Sequence, residues 1–238
     1  TLSLKVYFDF SKIRPKGSAI SGGFKAPGPE PLRKCIAICE EILTRISYNA
    51  GIIKTIEAYD IAMHIADAVI SGGVRRAATI ALFSPNDIDM IKAKTGNWFV
   101  ENPQRARSNN SVILVRDKMT FEDLDAIAEF IKQFGEPGFI LTDNEEFCFN
   151  PCVEIGMLPV TVDGESGFQA CNLTEINGSL CDSEEIFYRA CKAAAIIGTL
   201  QAGYTNFKYL TDATKKIVER EALLGVSITG WMNNPQVL

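Results

Sequence analysis

Residues 108–141 read SNNSVILVRDKMTFEDLDAIAEFIKQFGEPGFIL, and the order of patterns in this stretch decides the fold class. It opens on SNNSVILVR (108–116), an apolar, β-branched run of strand length. TFEDLDAIAEFIKQFG (120–135) comes next as an amphipathic helix, with Thr120 as N-cap, Asp123 at the third helical position and Gly135 as the stop. GFIL (138–141) closes the stretch as a short buried strand. Strands alternating with helices define an α/β domain.

The flanks extend the pattern. SLKVYFDF (3–10) reads as a strand by alternation. The Gly-, Pro- and Lys-rich stretch 11–31 reads as a loop, longer than an ordinary connector and therefore weighted toward function. LRKCIAICEEILTRIS (32–47) is helical by spacing, and its Cys35 and Cys39 fit small core hydrophobes. A second helix covers 53–70. It carries His64, to which no role is assigned. SGGVRRAATIALF (71–83) turns from a double glycine into a strand, and SPND (84–87) reads as a helix start capped by Ser84. Downstream, CNLTEIN (171–177) reads as a strand, and 182–203 and 211–225 as helices. No repeat, low-complexity segment or linker stands out, so 1–238 is taken as a single domain.

The bulk numbers narrow the function classes. A chain of 238 residues, 47% of them apolar and 22% charged, sits in the ordinary globular range and can bury one sizeable core. Its longest apolar runs fall short of the 18 or so residues a spanning helix needs, and the first residues lack secretory features. Membrane and secreted readings are set aside, and the cytoplasm is the expected location. A net charge of −5 argues against a nucleic-acid surface but leaves room for small anions held by a few arginines. Seven cysteines, an odd count, point to a reducing compartment and away from a disulfide scaffold.

The chemistry concentrates in NPCVE (150–154). Pro151 excludes a helix interior and biases Asn150 toward extended backbone. In an extended segment Asn150, Cys152 and Glu154 project to one side. Apolar neighbours such as Phe147, Phe149 and Ile155 predict that this side faces the protein interior. A structural thiol is the plain alternative for Cys152. Metal binding is disfavoured, because no second cysteine pair or histidine lies at ligand spacing, and His64 is not marked as a base for a hydrolytic cysteine.

NPCVE resembles the active-site finger loop of ribonucleotide reductases. Four further segments are similar to that family in its order. KIRPKGSAISGG (12–23) resembles the first effector-site loop and SGGVRRAAT (71–79) the substrate-specificity loop. GEPGFILTDN (135–144) resembles the approach to the finger loop, and FQACNLTEIN (168–177) the strand bearing a reducing cysteine. LLGVSITGWMNNP (223–235) is a weaker match. The resemblance implies that 1–238 is the central portion of the family's α/β barrel, with residues 147–158 as a loop entering it. The implied activity is thiyl-radical reduction of ribonucleoside di- or triphosphates to deoxyribonucleotides for DNA replication. Cys152 would take the 3′ hydrogen, Glu154 the 3′ hydroxyl proton, and Asn150 would orient the ribose. Cys171 would supply reducing equivalents with a partner among Cys35, Cys148 and Cys181, which the sequence does not choose between.

Gly72, Gly73, Arg75 and Arg76 would contact the substrate, while Arg14 and Lys16 would lie near effector phosphates. A guanidinium can hold a phosphate through two hydrogen bonds or stack on a base; against this, the glycines also fit a plain helix stop with solvated arginines. Adenosylcobalamin is the implied radical source, with a metal-containing partner subunit as the alternative. Implied partners are a ribonucleotide, a deoxyribonucleotide effector, a thioredoxin-like or dithiol reductant, the rest of the catalytic subunit and a second copy of the chain. The rival reading is a nucleotide-binding or assembly piece of a split reductase without chemistry of its own.

Overall fold

The computed structural model describes residues 6–49, 51–71 and 77–235. They fall into two compact units, Thr1–Gly156 and Met157–Leu238. The first contains, in chain order, α1 (Glu30–Tyr48), α2 (Thr55–Ile70), β1 (Thr79–Phe83), the one-turn helices α3 (Ile88–Ile91) and α4 (Trp98–Glu101), β2 (Ser108–Val115), α5 (Phe121–Phe134) and β3 (Gly138–Thr142). β2 lies between β1 and β3 and is parallel to both, with Val112 beside Phe83 and Phe139. After β3 the chain doubles back through a short ribbon, β4 (Cys148–Phe149) and β5 (Gly156–Met157).

Side-chain alternation along β2 makes two faces. On one, Asn110, Val112 and Leu114 are at most 2% exposed. Val112 and Leu114 join a core with Met63 of α2, Phe83 of β1 and Ile127 of α5. Burying each such side chain contributes about 1.5–3 kcal/mol. On the other face stand Asn109, Ile113 and Val115. Helix α5 begins and ends as its sequence predicts. The Thr120 hydroxyl accepts from the Asp123 N–H, the Asp123 carboxylate accepts from the Thr120 N–H, and Gly135 closes the helix at φ 75°. These bonds also hold the Asp123 carboxyl below its ordinary range.

The second unit holds a parallel pair, β6 (Asn172–Asn177) and β7 (Leu224–Thr229), joined through α6 (Glu184–Ala202) and α7 (Asp212–Glu221). Ile176, Cys181 and Ala194 form its small core, with Phe187 and Cys191 packed against them. Gly198 on α6 lies against the Leu224 side chain, where an added Cβ would overlap.

Three sequence expectations are corrected here. The described part of the 3–10 strand, residues 6–10, is not a strand, and Val6, Tyr7 and Phe8 are exposed. Alternation gives strand geometry, but a strand also needs a neighbour for its backbone, and none pairs with it among the described residues. Ser84 does not cap a helix: residues 84–87 form a turn, and Asp87 caps α3 by accepting from the Met90 N–H. The 211–225 helix stops at Glu221, and Ala222 turns left-handed at φ 45°. The chain then enters β7, whose pairing with β6 prevails over the helical spacing.

Candidate active site

NPCVE forms a tight turn, not the extended run its alternation predicts. The Val153 N–H donates to the Asn150 carbonyl at 2.9 Å, which places Asn150 first and Pro151 second in a four-residue turn. Both residue types favour those positions. The Asn150 N–H donates to the Ile155 carbonyl at 3.4 Å, and Asn150 Oδ1 accepts from the Ile155 N–H at 3.0 Å. The loop is therefore closed by its own first residue. Val153 sits at φ 68°, a region that a β-branched side chain occupies only under strain.

This geometry puts Cys152 at the tip, exposed, with Glu154 also exposed and Asn150 half-buried. The expected interior setting is not found, because Phe147 and Val153 are themselves exposed. The three groups share one six-residue loop, but the turn replaces the simple same-side projection.

The anchor of the loop lies in β2. Asn109 Nδ2 donates to the Pro151 carbonyl at 2.6 Å, immediately before Cys152. The residues flanking Asn109 are locked on the core face. The Tyr59 hydroxyl lies 2.8 Å from Ser108 Oγ and donates to Asn110 Oδ1 at 3.1 Å, and Ser108 Oγ donates to the same oxygen at 2.7 Å. Burial raises the Tyr59 pKa. Lys94, 7% exposed, donates to the Ser108 carbonyl and pairs with Glu136 at 2.6 Å. Arg105 grips Asp60 through two bonds, at 2.8 and 2.7 Å. Sequence reasoning passed over Asn109 and this network. The available signal was the polar run SNNS opening an otherwise apolar strand.

The remaining candidates are scattered. Cys171 is half-buried just before β6 in the second unit, where Phe168 N–H donates to Thr214 Oγ1 at 3.1 Å. Arg14 and Lys16 are exposed at the base of a small hairpin made by 17–26, in which Gly17 N–H donates to Ala26 O and Ala26 N–H to Ser18 O. Gly72, Gly73, Arg75 and Arg76 lie outside the described residues. Of the partners open to Cys171, Cys35 and Cys181 are buried and Cys148 is exposed. Burial and the neighbouring Cys39 push the Cys35 thiol up to about 11. Among the described residues no cluster of three or more metal-ligating side chains occurs.

Neither a family model nor a solved structure matches the chain. Curated proteins do: along nearly all of its length the chain is a homologue of the ribonucleotide reductases. The particular relatives carry the name adenosylcobalamin-dependent ribonucleoside-triphosphate reductase. The one from Lactobacillus acidophilus is 33% identical over 244 residues, covering 97% of this chain and 32% of its own length. Those from Lactobacillus leichmannii and Levilactobacillus brevis are each 29% identical over 95% of this chain. The chain spans about a third of the length of the curated relatives it matches.

Proposed function

We propose that the chain is part of a ribonucleoside-triphosphate reductase in which Cys152 carries the reacting thiyl radical. The observation that supports this most is the 150–155 loop. It presents one thiol at an exposed tip and keeps an amide and a carboxylate within two residues of it. The parallel sheets suit a larger parallel barrel, which would bury the partly open second face of β1–β2–β3, since parallel sheets ordinarily bury both faces. In that setting 147–158 is the finger loop and 1–238 the central portion of the barrel.

The chemistry balances with these residues. The Cys152 thiyl takes the hydrogen atom from C3′ of the ribose while Glu154 accepts the 3′ hydroxyl proton. Among the described residues Asn150 Nδ2 has no hydrogen-bond partner, so it is available to hold a ribose hydroxyl even with Oδ1 engaged by Ile155. The 2′ hydroxyl leaves as water. Cys171 and a second thiol provide two electrons and two protons, one proton leaving in that water and one hydrogen staying at C2′, and become a disulfide; Glu154 returns its proton to the 3′ oxygen, and Cys152 returns its hydrogen to C3′ and is a thiyl again. A group that starts the radical must reach the sulfur, and an exposed Cys152 fits that need. The names of the relatives favour adenosylcobalamin, which when bound supplies a hydrogen-abstracting carbon radical, over a metal-containing subunit.

Arg75 and Arg76, with Gly72 and Gly73, are proposed to contact the substrate nucleotide, and Arg14 and Lys16 the effector phosphates. A deoxyribonucleotide effector, a dithiol or thioredoxin-like reductant, the rest of the catalytic subunit and a second copy of the chain are the proposed partners. The cytoplasm is the proposed location. Among the described residues no helix is long and apolar enough to cross a membrane. The test is deoxyribonucleotide formation from ribonucleoside triphosphates by the full-length chain, with adenosylcobalamin and a dithiol. Product supports the reading. Nucleotide binding without product supports the assembly-piece reading instead.

A further inference from the structure

The bonds inside the 150–155 loop fix its shape, since all three run between Asn150 and Val153 or Ile155. None fixes where that shape stands relative to the sheet. Among the described residues, Asn109 is the side chain from outside the loop that hydrogen-bonds to it. Its own place is unusually well held. Ser108 and Asn110, on either side, are 5% and 2% exposed, and both are tied to Tyr59. Asn109 therefore projects from a locked strand start onto the opposite face, with its amide donor aimed at the carbonyl one residue before Cys152. A radical transfer between sulfur and C3′ depends on placement at the ångström scale.

We propose that Asn109 is a positioning residue for Cys152, acting through the Pro151 carbonyl. This rests on the reductase reading, but its first test does not. Asn109→Asp keeps the shape and replaces the donor with an acceptor that repels the carbonyl. Asn109→Gln keeps a donor. Both changes lie on an exposed side chain, so the sheet should fold as before.

The first arm measures amide hydrogen exchange of Val153 and Ile155 by NMR. A loop cut loose from the sheet opens its internal bonds more often, so with Asn109→Asp the rates should rise about threefold to tenfold, the range one net hydrogen bond corresponds to, while the amides of β2 stay unchanged. Asn109→Gln should recover part of the protection. Unchanged loop exchange in Asn109→Asp overturns the anchor, whatever the chain catalyses. The second arm uses the full-length reductase. Asn109→Asp should lower kcat by about tenfold or more with KM within about twofold, because a misplaced sulfur slows chemistry and not nucleotide capture. Faster loop exchange with unaltered kcat overturns the positioning role. A wild-type full-length chain that makes no deoxyribonucleotide defeats the reductase reading, and the exchange arm still judges the anchor.

Discussion

The β2–α5–β3 crossover and the 150–155 loop are held together by different physics, although Asn109 in one bonds Pro151 in the other. The crossover is fixed by burial: Val112, Leu114 and Ile127 are between 0 and 2% exposed and pack into a single core. The loop buries little and is fixed by four hydrogen bonds and a proline. Burial is additive over many contacts and tolerates no hole. A hydrogen-bonded turn depends on a few directional groups and tolerates change wherever those groups are spared. The region proposed to do chemistry is thus the one whose placement a single side chain can alter.

The contrast is broken most directly in the core. Leu114→Ala should destabilise the first unit by about 3 kcal/mol, from lost burial and the cavity left behind, read as a lower denaturant midpoint with the slope unchanged. A cost below about 1 kcal/mol would mean that the sheet is not the burial-held region. Thr120→Ala removes the α5 cap and should cost about 1 kcal/mol, again as a midpoint shift. In the loop the sign should reverse. Val153→Gly relieves a backbone strained at φ 68° and should be neutral or stabilise by up to roughly 1 kcal/mol. Loss of stability there would show that the Val153 side chain matters more than its backbone.

The smallest effect concerns His64 on α2. Burial holds its pKa below the ordinary 6.5, outweighing Asp60 and Asp67, which act the other way. The folded chain then binds fewer protons than the unfolded one just below that value. Its contribution is present above 6.5 and is lost as pH falls through the lower folded pKa. Stability should decline modestly as pH falls below about 6.5, and His64→Gln should flatten that part of the curve. An unchanged slope would place the titration elsewhere.

Legibility in the sequence divides along the same line. The crossover could be read because periodicity, a capping box and a stop glycine all report the same burial. NPCVE stood out by its residue types, but its geometry could not be read from them. Its Asn-Pro pair is a turn opener as well as a bar to helix, and nothing local shows that Asn150 spends its own oxygen on Ile155. Asn109 was invisible because its bond is to a partner 42 positions away. β7 was missed for a related reason: LGVSIT becomes a strand by pairing with residues some 50 positions earlier. The burial of Ser108 and Asn110, which makes the strand start rigid, depends on Tyr59 at a similar distance.

The sulfur at the loop tip is proposed to do the chemistry. The most direct test is Cys152→Ser in the full-length chain, with product formation and nucleotide affinity measured on the same preparation. Serine keeps the size and the turn but cannot form an accessible thiyl, so deoxyribonucleotide formation should vanish while nucleotide affinity stays within about twofold, the sulfur being needed for the chemical step alone. Turnover persisting in Cys152→Ser would contradict the assignment and return this cysteine to an exposed thiol on a surface turn.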